Sequence, residues 1–248
     1  MNAMVGTTRP GDHGFDCMHF NLHKTFSTPH GGGGPGCGAI GLMKHLEPFL
    51  PIPVIRRASN GKVQLETARP LSIGRVSAFY GQFLMEVRAL TYLLAYGRQK
   101  MRNISRFAVL NANYVKARLR DVLPAAHDRH CMHECVLTAT RYKKGGVRAL
   151  DISKRLIDYG FHPPTNYFPL IVPEAIMIEP TETETKETLD AFCDAMIAIC
   201  KEAEESPELL HGAPSTQIVG RLDEAAAVKN LDVRWIHPSR REKAPVSG

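Results

Sequence analysis

The chain lacks a run of apolar residues long enough to cross a membrane. Its 248 residues contain no stretch of the roughly twenty apolar residues that a spanning helix needs. The first residues, Met1 to Gly6, also lack the basic start and apolar core of a secretory signal. We therefore expect a protein that neither spans a membrane nor binds one.

Cysteine is sparse and scattered. A disulfide scaffold is short and rich in cysteine, whereas this chain has 6 cysteines over 248 residues. We therefore expect a reduced, cytoplasmic setting, with the last two cysteines as small core residues on the apolar face of a helix. The six are Cys17, Cys37, Cys131, Cys135, Cys193 and Cys200.

Strong charge is also missing. The formal net charge is +6, and no basic stretch is interleaved with aromatic residues, which make up 7% of the chain. A nucleic-acid-binding surface needs such a basic patch, so we expect no nucleic-acid partner. The apolar fraction of 44% and the charged fraction of 23% are those of a soluble globular protein.

Glycine, by contrast, is concentrated at one place. Four consecutive glycines, Gly31–Gly34, follow Lys24 after a short polar segment. Such a loop costs backbone entropy and buries almost nothing, so it is tolerated where something approaches the backbone closely or where the backbone moves. A lysine beside it can form a Schiff base when it is buried and deprotonated.

Three other interpretations of this segment compete with a reactive lysine. A nucleotide phosphate loop places its glycines before the lysine, which is the reverse of the order found here. An esterase oxyanion loop, suggested by His30–Gly33, requires a Gly-x-Ser-x-Gly nucleophile elbow, and the sequence contains none. A surface loop with an incidental lysine is the third interpretation, and residue spacing alone leaves it open.

The first half of the chain is predicted to contain two short strands and two helices. Glycine and proline interrupt residues 1–60 often. Apolar residues at three- and four-residue spacings predict a helix over 75–96 that stops at Gly97, and a second over 104–122 that ends at Pro124. The strands are predicted at 17–20 and 39–43.

The second half reads as a small α+β domain. Asp151 is predicted to cap a helix that Gly160 closes, and Thr181 with Glu184 fits a capping box for a second helix. Strands are predicted at 133–139, 167–172 and 175–179, with a polar loop at 142–146. The predicted domains are 1–125 (the lysine-bearing end of a large domain), 126–235 (the small domain) and 236–248 (a disordered tail).

A histidine and cysteine cluster between residues 127 and 135 resembles a zinc site only superficially. Its spacing fits no standard Cys/His pattern, and alternate residues of a strand face opposite sides. The sequence alone therefore predicts no metal site. The residues are His127, His130, Cys131, His133 and Cys135.

The segments around Lys24 closely resemble glycine decarboxylase, the P-protein of the glycine cleavage system. The resemblance starts with Asn-Leu-His-Lys-Thr-Phe and Pro-His-Gly-Gly-Gly-Gly-Pro-Gly and extends over nearly the whole chain. Agreement at this many separated points makes chance resemblance negligible. The matching segments are 21–26, 29–36, 46–51, 72–76, 110–114, 131–134, 158–164, 173–175, 178–184 and 220–224.

This resemblance implies an α/β enzyme of the fold-type I pyridoxal-phosphate class. Lys24 would hold pyridoxal 5'-phosphate as a Schiff base, with His23 and Thr25 beside the cofactor. The family reaction decarboxylates glycine, releases carbon dioxide and transfers the aminomethyl group to the lipoyl arm of H-protein. The implied partners are glycine, lipoylated H-protein and an N-terminal P-protein subunit or half, in an oligomer.

One departure from the family pattern concerns the aspartate that holds the pyridine nitrogen. In the family it belongs to an Asp-Gly-Ala-Asn segment that would precede Met1-Asn2-Ala3, and Asp12 and Asp16 lie too close to Lys24 to replace it. We therefore expect a complementary N-terminal half to supply it. The alternative is a catalytically inactive remnant of the same family that does not bind cofactor.

Overall fold

A computed structural model describes the backbone of residues 1–241 and the side chains of residues 1–239. Within this part of the chain, no helix is both long enough and apolar enough to cross a membrane. The helices are α1 (Leu22–Thr25), α2 (Phe83–Leu119), α3 (Ala149–Asp158), α4 (Lys186–Glu205), α5 (Pro207–His211), α6 (Glu224–Lys229) and α7 (Pro238–Arg241). The strands are β1 (Cys17–Asn21), β2 (Gly38–Leu42), β3 (Val54–Arg57), β4 (Val63–Glu66), β5 (Cys135–Thr138), β6 (Thr165–Asn166) and β7 (Ala175–Ile178).

The lysine segment is carried by a small antiparallel sheet. β1 pairs with β2 from Cys17 opposite Leu42 to Asn21 opposite Gly38, which confirms both predicted strands. Their connection contains α1 and the glycine loop, so Lys24 lies directly beyond the end of β1. A second antiparallel pair, β3 and β4, follows in the chain.

Helix α2 combines the two helices predicted for this region. Gly97 breaks it, with φ 65° and ψ 166°, as the predicted stop at this residue requires. The predicted start at residue 75 is wrong, because the helix begins at Phe83. Gly74 and Gly81 have φ values of 92° and 105°, which a right-handed helix does not contain. The predicted helix over 104–122 is the second part of α2, and it ends at Leu119.

The main hydrophobic core lies in the C-terminal half. Strands β5, β7 and β6 form an antiparallel sheet in that order, and α3 and α4 cover the core with α5. α4 buries Leu189, Cys193, Met196 and Cys200, with Phe192 and Ile197 partly buried, so the predicted apolar face is confirmed.

Both helix starts in this half differ from their predicted caps. In α3 the N-cap is Arg148, whose backbone N–H donates to Asp151 Oδ2 at 2.8 Å, so Asp151 occupies the third helical position. In α4 the N-cap is Thr185, whose Oγ1 accepts from Thr188 N at 3.2 Å. The predicted caps therefore lie three residues too late in α3 and four too early in α4.

The strand predicted at 167–172 is wrong. Residues 167–172 form turns and bends. In this part of the chain, the residues that pair with β7 are Thr165–Asn166, which precede the predicted strand. Pro169 and Pro173 have no N–H to donate to a ladder, and Leu170 and Ile171 are largely exposed. The polar loop predicted at 142–146 is the end of a 3-10 helix, Thr140–Gly145, with Tyr142 buried in the core.

The predicted domain division stays a prediction. The core of the C-terminal half includes Val115 and Leu119 of α2, which precede the predicted boundary near residue 125. Within the predicted tail, Pro238–Arg241 forms the one-turn helix α7. Residues 242–248 lie outside the described residues.

Candidate functional site

Lys24 lies in the single turn of α1, and its side chain is exposed. The burial that would favour a deprotonated lysine is therefore not seen at Lys24 in this structure. The buried positions are taken by Thr25 and Phe26, which follow it and are 4% and 8% exposed. α1 thus presents the lysine amine at the surface and anchors itself through the next two residues.

Three buried polar atoms near Lys24 have no hydrogen-bond partner among the described residues. They are His23 Nδ1, Thr25 Oγ1 and Thr28 Oγ1. Leaving a buried polar group unpaired costs about 1–3 kcal/mol, so native structures rarely tolerate several together. Such a cluster beside a surface lysine makes this segment a candidate ligand site.

His23 lies in surroundings that lower its pKa and so favour its neutral form. Burial lowers its pKa from the ordinary 6.5, and the neighbouring His30, Lys24 and His19 lower it further by electrostatic repulsion. The His30 ring packs edge-on against it, with centroids 4.7 Å apart and planes at 78°. A neutral imidazole with one unpartnered nitrogen can accept or donate a proton toward a ligand.

Helix α2 fixes the chain after the lysine. Arg88 donates from Nε and Nη2 to the Ser27 carbonyl oxygen at 3.1 and 3.0 Å. Ser27 has φ 56°, an uncommon conformation for a residue with a side chain. The Phe26 ring meets Tyr92 edge-on at 6.2 Å, and the Tyr92 hydroxyl donates to Glu182. The segment is therefore tied both to α2 and to the loop that precedes α4.

The glycine loop returns over His23. Gly31, Gly32 and Gly33 all have positive φ, a conformation that side chains disfavour. At Gly36, a Cβ would lie 3.7 Å from His23 Nδ1, so the backbone closely covers the histidine. This loop is therefore part of the wall around the unpartnered atoms.

The structure brings the three predicted site residues, His23, Lys24 and Thr25, into one turn. It adds residues that the sequence reasoning did not assign, namely Thr28, His30 and Arg88. His30 lies within the glycine-rich segment 29–36 and Thr28 lies directly before that segment, so it was a usable signal for both. Arg88 carried no signal, because it is 61 residues from its partner Ser27.

Comparison with known proteins confirms the resemblance. Residues 104–214 match the family described as "Glycine dehydrogenase, C-terminal domain". The chain is 57% identical over 235 residues to the probable glycine dehydrogenase (decarboxylating) subunit 2 of Caldanaerobacter subterraneus subsp. tengcongensis, and 55% identical to that of Lysinibacillus sphaericus. Over nearly its whole length, the chain is similar to members of the glycine dehydrogenase (decarboxylating) family. Each match takes 95% of this chain and 48% of the relative, so the chain spans about half the length of these relatives.

Solved structures confirm the predicted fold class. An inhibitor-bound glycine decarboxylase (P-protein) of the glycine cleavage system aligns with a TM-score of 0.62 and 20% identity, over 77% of this chain and 45% of that one. An apo cysteine desulfurase from Thermococcus onnurineus NA1 aligns with a TM-score of 0.54 and 15% identity, over 75% and 47%. The fold is that of the fold-type I pyridoxal-phosphate enzymes.

Proposed function

We propose that this chain forms part of a pyridoxal-phosphate-dependent glycine decarboxylase. The enzyme would decarboxylate glycine, release carbon dioxide and transfer the aminomethyl group to the lipoyl arm of H-protein. The observation that carries the proposal is the group of unpartnered buried atoms on both sides of Lys24, in a chain similar to members of the glycine dehydrogenase family.

The residues around Lys24 fit the cofactor. Lys24 Nζ reaches solvent, where the aldehyde of the cofactor can approach it. The Thr25 and Thr28 hydroxyls can each donate one hydrogen bond, which suits a phosphate or the polar edge of a ring. The lowered pKa of His23 disfavours a second positive charge beside the lysine. These roles for His23, Lys24 and Thr25 remain proposals.

In the proposed reaction, bound pyridoxal phosphate supplies an electron sink for the electron pair that stays on the glycine α-carbon when the carboxylate leaves as carbon dioxide. Lys24 would hold the cofactor through Nζ. His23 lines the site from the side of β1, and the Gly31–Gly34 loop is where we place the entry of the lipoyl arm.

Partners follow from the same proposal. The relatives are named as subunit 2 of glycine dehydrogenase, and this chain matches about half of their length. We therefore propose a complementary N-terminal subunit or half that supplies the aspartate for the pyridine nitrogen, in an oligomer that works with lipoylated H-protein. The cytoplasmic setting stays a prediction.

Reductive labelling tests the lysine assignment without relying on turnover. The chain, mixed with pyridoxal phosphate and reduced with borohydride, should carry the label on the peptide that contains Lys24. Lys24→Ala should lose the label, whereas the control Lys62→Ala should keep it. Labelling of Lys44 or Lys62 in place of Lys24 would overturn the assignment.

A second experiment separates an enzyme component from an inactive remnant. Exchange of the glycine carboxyl with labelled bicarbonate is measured with H-protein and a family N-terminal half, with and without this chain. Exchange that requires this chain and disappears in Lys24→Ala supports the proposal. No exchange, together with no reductive label on Lys24, would identify the remnant.

A further inference from the structure

A cluster away from the lysine segment joins the ends of two neighbouring strands. His133 and Glu134 precede β5, and Glu179 follows β7. The antiparallel register pairs Cys135 with Ile178, so its continuation places Glu134 opposite Glu179. Two like charges in directly opposite positions destabilise a sheet, unless a cation lies between them.

The geometry of the cluster suits a small cation. His133 Nε2 lies 3.9 Å from Glu134 Oε2 and 3.7 Å from Glu179 Oε1. Donor atoms of all three residues lie within 4.8 Å of one another. Around zinc, with bonds of about 2.0–2.2 Å, tetrahedral ligand atoms lie roughly 3.3 Å apart, so small shifts would close the site. Within residues 1–239, no lysine or arginine forms an ion pair with either glutamate.

A buried amide completes the cluster. Asn2 is only 6% exposed, and its Nδ2 donates to Glu179 Oε1 at 3.3 Å. Its Oδ1 is buried and has no partner among the described residues. Because the two ends of an amide exchange places by a simple flip, this oxygen can replace Nδ2 at the cluster. After this flip, the amide would present an oxygen to the carboxylate of Glu179, as a metal ion bound there would require.

We propose that His133, Glu134, Glu179 and Asn2 bind a zinc ion. One imidazole nitrogen with carboxylate and amide oxygens is a donor set that suits a borderline divalent metal of the zinc class. Glu179 also lines a cavity of about 340 Å³, so the ion can reach the cluster from solvent. The sequence pattern could not have indicated this site, because Asn2 is 177 residues from Glu179 and only the fold brings them together.

Calorimetric titration tests the site directly, with Zn²⁺ alone as the probe. The full chain, stripped with a chelator and free of pyridoxal phosphate, should bind one zinc ion. Glu179→Gln should weaken binding by about tenfold or more, equivalent to at least about 1.4 kcal/mol. The matched control Glu184→Gln removes an acidic residue from the same cavity wall, outside the cluster, and should leave binding unchanged.

Two further variants keep the test valid if Glu179→Gln folds poorly. Asn2→Asp adds an anionic ligand and should strengthen binding, whereas Cys131→Ser should not change it, because the thiol is not a proposed ligand. Absence of stoichiometric binding would overturn the proposal. Zinc binding that Cys131→Ser abolishes, or that His133→Gln leaves unchanged, would overturn it as well.

Discussion

At the scale of single residues, the lysine segment combines an exposed reactive group with buried groups that lack partners. The amine of Lys24 needs access to a ligand, whereas the hydroxyl of Thr25 is already desolvated. A desolvated donor has no water to lose when a ligand arrives. The free-energy cost of burying it unpaired is already part of the free chain, so a hydrogen bond to the ligand strengthens binding. The Thr25 hydroxyl should therefore lower the stability of the cofactor-free chain and strengthen cofactor binding.

Replacing Thr25 by valine tests this trade-off. Thr25→Val keeps the shape and removes the unpartnered hydroxyl, so it should raise the stability of the cofactor-free chain by about 1 kcal/mol. It should also weaken pyridoxal-phosphate binding. Urea unfolding followed by circular dichroism gives the first quantity, and absorbance titration gives the second.

The control for Thr25→Val is the same substitution at a partnered threonine. Thr185 Oγ1 accepts a hydrogen bond from Thr188 N at the start of α4. Thr185→Val should destabilise by about 0.5–2 kcal/mol, as the loss of an N-cap does, and should leave cofactor binding unchanged. Equal destabilisation by both variants would show that the Thr25 hydroxyl is satisfied in solution.

At the scale of elements, the break in α2 separates a mostly exposed part from a buried one. Before Gly97 the helix contributes Ala89 to the buried residues, and after it come Ile104, Ala108, Ala112, Val115 and Leu119. Only the second part joins the core of the C-terminal half, through Val115 and Leu119. The break at Gly97 thus separates a mostly solvent-exposed part of α2 from a part that packs in the core.

Alanine at the break measures what the glycine conformation contributes. At φ 65° and ψ 166°, Gly97 occupies a region that is essentially restricted to glycine, while nothing lies within 4 Å of a Cβ there. Gly97→Ala should therefore destabilise by about 1–3 kcal/mol through backbone strain alone. The measurement is the urea midpoint of the variant against the parent chain.

Gly145→Ala is the matched control for this change. Gly145 has no positive φ, and a Cβ there would meet only the Ala203 carbonyl oxygen, at 3.9 Å. It should shift the midpoint by far less than Gly97→Ala does. If Gly97→Ala is neutral, α2 continues through residue 97 in solution and the break is not a property of the chain.

The spacing of apolar residues predicted the helices that have one buried face. It failed where the regularly spaced apolar residues are exposed. The α4 face was readable because Leu189, Cys193 and Met196 all pack on the core. The start of α2 was not readable from the pattern. Val76 and Phe79 keep a helical spacing, but they are exposed and lie between Gly74 and Gly81, which have positive φ. The motif around Lys24 located the candidate site, whereas the zinc cluster depends on strand register, which the sequence pattern does not contain.

At the scale of the whole molecule, apolar residues are divided unequally between core and surface. The core is built from residues between Val115 and Leu210. Earlier in the chain, many large apolar side chains are exposed, and Phe83, Val87, Leu90 and Leu94 form one row along α2. Exposed apolar surface of this extent is typical of a face that associates with another protein.

The isolated chain should therefore self-associate through this row. Burying apolar surface stabilises by about 25 cal/mol per Å², so contact between two such rows is favourable even without specific pairing. Sedimentation velocity should show a mean mass that rises with protein concentration. Leu90→Glu with Leu94→Glu should suppress the rise, because two buried charges without partners oppose association. The control Val233→Glu changes an apolar residue that is also exposed but lies outside α2, and it should have no effect.

A mean mass that does not depend on the concentration of the chain alone would refute the prediction. If a family N-terminal half covers this row, adding it should replace the self-association with a complex of defined mass.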